Sequence, residues 1–216
     1  ESQKVEKESK HGFLKAVLVI IGILVIAYLV FVIRNYVILK DLYEKAKVYK
    51  DATNYTYHAK GPVSEYTAYV KDGTTRLDMD NFEDDKHDFI IWADENTGES
   101  IMAFPNQKVA SKNPFSSVLV AAPFDLAQGD YWFMNTMLFA LISSDEFDGK
   151  DCYLLNLGSD YILWVDKATG LVVKRQTTTA TMEITNIEVN NVDEIYKPDL
   201  TGYTVNDNTE NETVEE

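Results

Sequence analysis

The sequence predicts an α+β protein, a single curved antiparallel sheet with helices on one face, preceded by one membrane-spanning helix. Three observations carry this. Phe13 to Ile33, FLKAVLVIIGILVIAYLVFVI, holds a single charge, Lys15, near its start. From residue 52 onward the pattern turns to period two, in about nine or ten short runs bounded by turn residues. Only residues 34–51 and 131–143 keep helical character within that sheet-rich stretch.

The apolar run comes first. From Ala16 to Ile33 nothing is charged, which gives about 18 residues, close to the ~20 needed to cross a ~30 Å hydrocarbon core. In such a core every backbone polar group must be satisfied within the segment, so a spanning run is a helix. A cleaved signal peptide would have a shorter apolar core and a small-x-small site after it. Phe31-Val32-Ile33-Arg34 stands there instead, and the sole Cys, Cys152, is far too distant for a lipoprotein signal. Residues 13–33 are therefore expected to span the bilayer uncleaved, as the chain's membrane partner segment.

Charge divides the chain at the same place. Residues 1–50 hold nine basic and five acidic side chains; residues 51–216 hold 11 and 30. An acidic domain repels phosphates, so nucleic acid is excluded as a partner. The basic end suits anionic headgroups. A short basic tail, an apolar run and a large acidic domain together predict a single-pass cell-membrane protein, with its N-terminus cytoplasmic and its C-terminal domain extracytoplasmic. Residues 1–12 are expected as a disordered tail, 34–51 as a juxtamembrane helix, 52–206 as the domain and 207–216 as an acidic disordered tail.

Leu39, Leu42, Tyr43, Ala46 and Tyr49 form one apolar stripe after the anchor, so the membrane helix is expected to run straight into the domain. TNYTYHAK then alternates, and Gly61-Pro62 breaks it. EYTAYVK and TTRLDMD are joined by Asp72-Gly73, a type I′ hairpin signal. Three more strands follow in 88–114, turning at 95–98 and at Pro105-Asn106. YWFMNTMLFALIS, 131–143, is apolar almost all round but too short to span a bilayer, so it is expected as a buried helix capping the sheet, with Asp130 as N-cap. KDCYLLNL, YILWVDK, LVVKRQT and TATMEITNIEV complete the strands. In the last, Ile187 and Val189 fall out of phase with Met182 and Ile184, which predicts a bulge near Asn186. No internal repeat is evident.

No catalytic constellation emerges. There is no G-x-S-x-G, and His11, His58 and His87 lack ligand spacing. The acidic stretch 81–88 lacks the alternating ligands and central Gly of an EF-hand and reads as a solvated turn. Neither enzyme activity nor a metal or cofactor is expected. What stands out is surplus large apolar surface: Trp92, Trp132, Phe133, Met137, Phe139 and Trp164, on different elements. Such side chains suit a core or a lipid pocket. Under a curved sheet capped by an apolar helix, a cavity is a serious rival to a filled core.

The order of elements resembles the LolA-like lipoprotein carriers. The resemblance is carried by YVKDGTTRLDMD (69–80), DFIIWADENTGESIMAFPNQKVASKNP (88–114), LWVDKATGLVVKRQ (163–176) with its W-x-D-x-x-T-G turn, and IEVNNVDEIYKPDLTGYTV (187–205). It implies an incomplete antiparallel β-barrel, its concave face lidded by helices and receiving a lipid or lipoprotein acyl chain. Carriers hold their lid with an Arg in the turn after the second strand; the matching turn here is Lys71-Asp72-Gly73. Trp132, Phe133, Met137 and Phe139 are expected to pack toward inward residues such as Trp92, Leu155 and Trp164, and these seven are the candidate ligand-binding residues. The rival expectation is a structural or regulatory module with a filled core, binding an envelope protein partner.

Overall fold

The structure, a computed structural model, describes residues 2–50, 52–83, 87–115, 123–124, 130–158 and 161–209, and for 2–12 and 130–132 the backbone alone. The first helix, α1 (Ser2–Lys50), is continuous, so the apolar run and the juxtamembrane stripe form one rod. It also takes in the polar stretch expected as a tail. Of the expected acidic tail, residues 210–216 lie outside the described residues.

Twelve strands form one sheet in the order β12-β6-β5-β4-β3-β2-β1-β11-β10-β9-β8-β7. They are β1 (Asn54–Lys60), β2 (Ser64–Lys71), β3 (Thr74–Asn81), β4 (Phe89–Asp94), β5 (Glu99–Phe104), β6 (Val109–Pro114), β7 (Leu141–Phe147), β8 (Lys150–Asn156), β9 (Tyr161–Asp166), β10 (Val172–Thr177), β11 (Thr181–Val189) and β12 (Thr204–Asp207). Adjacent strands are antiparallel except β12, which runs parallel to β6. Among the described residues the two end strands, β12 and β7, do not pair, so the sheet stays open.

The expected turns are present. Asp72 and Gly73 take φ of 47° and 87°, the left-handed pair a type I′ hairpin requires. Asn186 takes φ 51°, and the β1–β11 register jumps by one residue there, from Thr56↔Glu188 to His58↔Thr185. The bulge lets Ile184 point into the core while Ile187 keeps its apolar contact from a shifted position. Against the expectation of no internal repeat, the W-x-D-x-x-T-G spacing of 164–170 recurs at 92–98. In both turns the Asp carboxylate accepts a backbone N–H two residues on, Ala168 in one and Asn96 in the other, each at 2.9 Å.

Two expectations are corrected. The helix of 131–143 is shorter: α2 is Asp130–Phe139, and Leu141 already opens β7. A second additional strand, β12, lies in the C-terminal segment.

The main core joins α1 to the concave face. Leu39, Leu42 and Ala46 of α1 pack with Tyr57, Ala59, Ala68, Leu77, Ile142, Leu155, Leu163, Val165 and Ile184. Burial of these side chains is the chief stabilising term, at roughly 1.5–3 kcal/mol for each large one. The helix backbone meets the β9–β10 turn so closely that a Cβ at Gly170 would stand 2.2 Å from the Leu42 carbonyl oxygen. A smaller core of Trp92, Ile101, Ala103 and Ala110 lies on the opposite, convex face. The segment 190–203 covers it through Ile195, Leu200 and Tyr203. Lys71 and Arg76 donate to backbone carbonyls of that segment, Lys71 to Val192 at 3.1 Å and Arg76 to Tyr196 at 3.1 Å.

Candidate functional site

The concave face beneath α2 is the candidate site. Along β9 and β10, Leu163 and Val165 point inward, and so does Val172 opposite Val165. One extra residue then enters β10, because Val172 pairs with Val165 while Arg175 pairs with Leu163. This bulge turns Arg175 to the concave side and Lys174 to the convex side. Lys174 confirms the outward placement, lying 5.1 Å from the Trp164 ring and 3.5 Å from Glu183.

Arg175 is thus a cation among apolar and aromatic neighbours. Its guanidinium carbon is 5.8 Å from the centre of the Tyr161 ring, and its register partner on β11 is Met182. Its Nε is buried without an acceptor, and no carboxylate pairs with it among the described residues. Tyr66 stands nearby, its hydroxyl donating to the Met182 sulfur at 3.9 Å. Burial pushes the Tyr66 phenol pKa up, against the opposing pull of a Tyr57 hydrogen bond and the Arg175 charge.

Between the C-terminal end of α2 and this face lies an open hollow of about 430 Å³, lined by Asn135, Thr136, Phe139, Ala140, Leu157 and Tyr161. That falls within the ~300–1,000 Å³ range of small-molecule sites. Tyr161 belongs to both, so the hollow and Arg175 adjoin.

The seven candidate residues divide. Phe133 and Met137 of α2 pack on the core that contains Leu155, as expected. Phe139 does not: it is 70% exposed, at the mouth of the hollow. Trp92 and Trp164 lie on the convex face, each with a lysine over its ring, Lys197 at 5.0 Å and Lys174 at 5.1 Å. The Trp164 indole N–H donates to Asp145 at 2.8 Å. The side chain of Trp132 lies outside the described residues. In Ile91-Trp92-Ala93 and Leu163-Trp164-Val165 every neighbour is apolar, so alternation gave no clue to which face the Trp takes. Sequence reasoning missed Tyr66, Tyr161, Arg175 and Met182; only knowledge of the β10 bulge would have turned Arg175 inward.

α1 holds α2 in place. The Asn35 amide, wholly buried, donates to the carbonyls of Ala140 at 2.9 Å and Met137 at 3.2 Å. Arg34 donates to Ile142 at 3.0 Å, and the Tyr36 and Phe133 rings meet edge-on at 6.3 Å. The side chains that hold α2 thus come from α1. Lys71 and Arg76 are engaged instead with the convex-face segment.

Other chemistry is not assembled among the described residues: no cluster of His, Cys, Asp and Glu has metal-binding geometry there. Residues 84–86 of the acidic stretch lie outside them. Cys152 is fully buried, and burial pushes its thiol pKa up.

No protein-family model and no curated protein sequence matches the chain. Among solved structures it is similar to a DUF1329 family protein from Desulfovibrio piger ATCC 29098, at 12% identity over 76% of this chain and 95% of that one, with a TM-score of 0.33.

Proposed function

We propose that the chain is a membrane-anchored, non-enzymatic domain that holds a lipid, or the acyl chain of a lipoprotein, on its concave face outside the cytoplasm. The observation that carries the reading is Arg175, a half-buried cation whose Nε has no acceptor among the described residues, beside an open hollow with both apolar and polar walls. Shielding part of a charge from water is costly unless something pairs with it, so a half-buried cation among apolar side chains gains from an anionic partner. An amphiphile with an apolar tail and an anionic head supplies both missing partners: its tail occupies the hollow and its head meets Arg175. α1, long and apolar enough to cross a membrane, would keep the domain beside its ligand supply.

A photoreactive fatty acid added to membranes carrying the full chain tests this. Adducts are expected on residues 133–140 and 155–163, and Arg175→Gln should reduce labelling by the acid but not by its methyl ester. Adducts confined to residues 13–33 would refute the proposal. A second reading, a protein-binding module of the envelope, is favoured by β7, whose outer edge is unpaired among the described residues. Crosslinks from β7 to a protein, with no concave-face lipid adducts, would favour it.

A further inference from the structure

We infer that the C-terminal end of α2 and the start of β7 form a second membrane contact, a foot that rests in the lipid headgroup–acyl boundary beside α1. The inference rests on the anchor reading for residues 13–33.

Position comes first. The Tyr28 hydroxyl donates to the Leu138 carbonyl at 3.3 Å, and Tyr28 lies inside the apolar run. Going down α1 from Ile33 to Tyr28 covers five residues, or about 7 Å at 1.5 Å per residue. If Ile33 marks the edge of the hydrocarbon, the end of α2 reaches below that edge. This is the depth, ~5–10 Å, at which interfacial elements bury their apolar faces. A tyrosine at that level is also where amphipathic rings settle in membranes.

Surface chemistry agrees. Phe139 is 70% exposed, Leu141 65% and Met134 50%, on the part of the domain nearest the apolar rod. α1 is itself apolar and exposed through Val25, Leu29, Val30 and Ile33, so the two surfaces are continuous. A bilayer covers both at once, which is why lipid, rather than a protein, is the occupant assigned here.

Backbone accounting adds a third argument. The last turn of any helix leaves carbonyls without intrahelical donors. In water they would be solvated; in lipid they must find partners within the protein. Here α1 supplies donors to two of them, Tyr28 to Leu138 and Asn35 to Met137, and Asn35 also reaches Ala140 just past the helix end. The end of α2 is built to leave water. The hollow, with Phe139 at its mouth, then opens at the level of the bilayer rather than into bulk solvent.

Spin labelling of the full chain in phosphatidylcholine vesicles tests this. Cys152 is buried and its thiol pKa is raised, so single cysteines can be introduced over a silent background. Labels at Phe139→Cys and Leu141→Cys are expected to collide with oxygen more than with a water-soluble nickel chelate, as Val25→Cys should. Val48→Cys, exposed on α1 about 22 Å beyond Ile33, should show the reverse. All four side chains are exposed, so labelling leaves the packing intact. If Val25 reports lipid while 139 and 141 report water, the foot is refuted and the anchor stands. If Val25 reports water, the anchor reading and the foot fall together.

Discussion

The side-chain amide of Asn35, fully buried on α1, donates to the carbonyl of Ala140 at 2.9 Å, where α2 ends and β7 is about to begin. The same amide reaches Met137 at 3.2 Å. One polar side chain thus fixes the end of α2 and the entry to the edge strand together. Asn35→Leu removes both bonds and leaves two carbonyls without this donor, a loss of about 1–3 kcal/mol. Thermal unfolding of the full chain in detergent should show the drop, and hydrogen exchange should quicken first in residues 136–142. An unchanged midpoint would mean that water replaces the amide.

The two D-x-x-T-G turns offer a matched pair. Gly98 and Gly170 take φ of 72° and 73°, so alanine at either meets the left-handed penalty of ~1–2 kcal/mol. Nothing lies within 4 Å of a Cβ at 98, whereas at 170 it meets the α1 backbone at Leu42 and Ala46. Gly170→Ala is expected to destabilise well beyond Gly98→Ala and to loosen α1 from the sheet. Equal midpoints for the two variants would show that α1 does not press on this turn.

Asp145 carries a pH signature. The Trp164 indole hydrogen bond is the first cause of its lowered pKa, with the Glu146 backbone N–H second. A folded-state pKa below the unfolded one adds stability that is present above the unfolded value and is lost as pH falls through the folded one. Trp164→Phe should raise the Asp145 midpoint, read from its carboxyl carbon shift against pH. It should also shrink the acid-side loss of stability. A midpoint unmoved by the substitution would assign the shift to the backbone alone.

Met137 and Ala140 separate a pocket from a filled core. Met137 packs half-buried on the main core, and Ala140 lines the hollow. In a fully packed site Met137→Ala would cost about 2–5 kcal/mol. Beside an open hollow the expected loss is smaller, with weaker binding of a fluorescent fatty acid. Ala140→Trp should block that binding while the fold survives. A large stability loss in both variants, a cavity in one and overpacking in the other, with fatty-acid binding unaltered, would point to a filled core.

Much of this architecture is legible in the chain because its signals are local. Asp72-Gly73 dictates a hairpin, the phase slip after Ile184 dictates a bulge, and Leu39, Leu42 and Ala46 of the expected stripe mark the side of α1 that meets the sheet, while Tyr43 of that stripe stays exposed. β7 escapes because Phe139-Ala140-Leu141-Ile142 is apolar throughout, with no Gly or Pro to mark where helix gives way to strand. β12 escapes for a different reason: it is four residues long and its partner β6 lies far back in the chain. Of the site, Phe133 and Met137 are legible as members of an almost wholly apolar helix, and Leu155 as an inward residue of a strand. The inward turn of Arg175 depends on a one-residue bulge that LVVKRQT does not announce.

The strap from Asn190 to Tyr203 sets an order on the birth of this protein. Trp92, Ile101, Ala103 and Ala110 are in place on a strand meander completed by residue 114, yet their cover arrives only with Ile195, Leu200 and Tyr203. β1 waits equally long for β11, its neighbour near the middle of the sheet. Such long-range pairings are slow to form, and until they do the early strands present sticky, unfinished surfaces. With α1 already made, the first half of the domain must be kept from its neighbours until the final segment has been synthesised. A stop codon before residue 190 would therefore yield a half-built sheet with its indole side bare, a natural substrate for proteolysis.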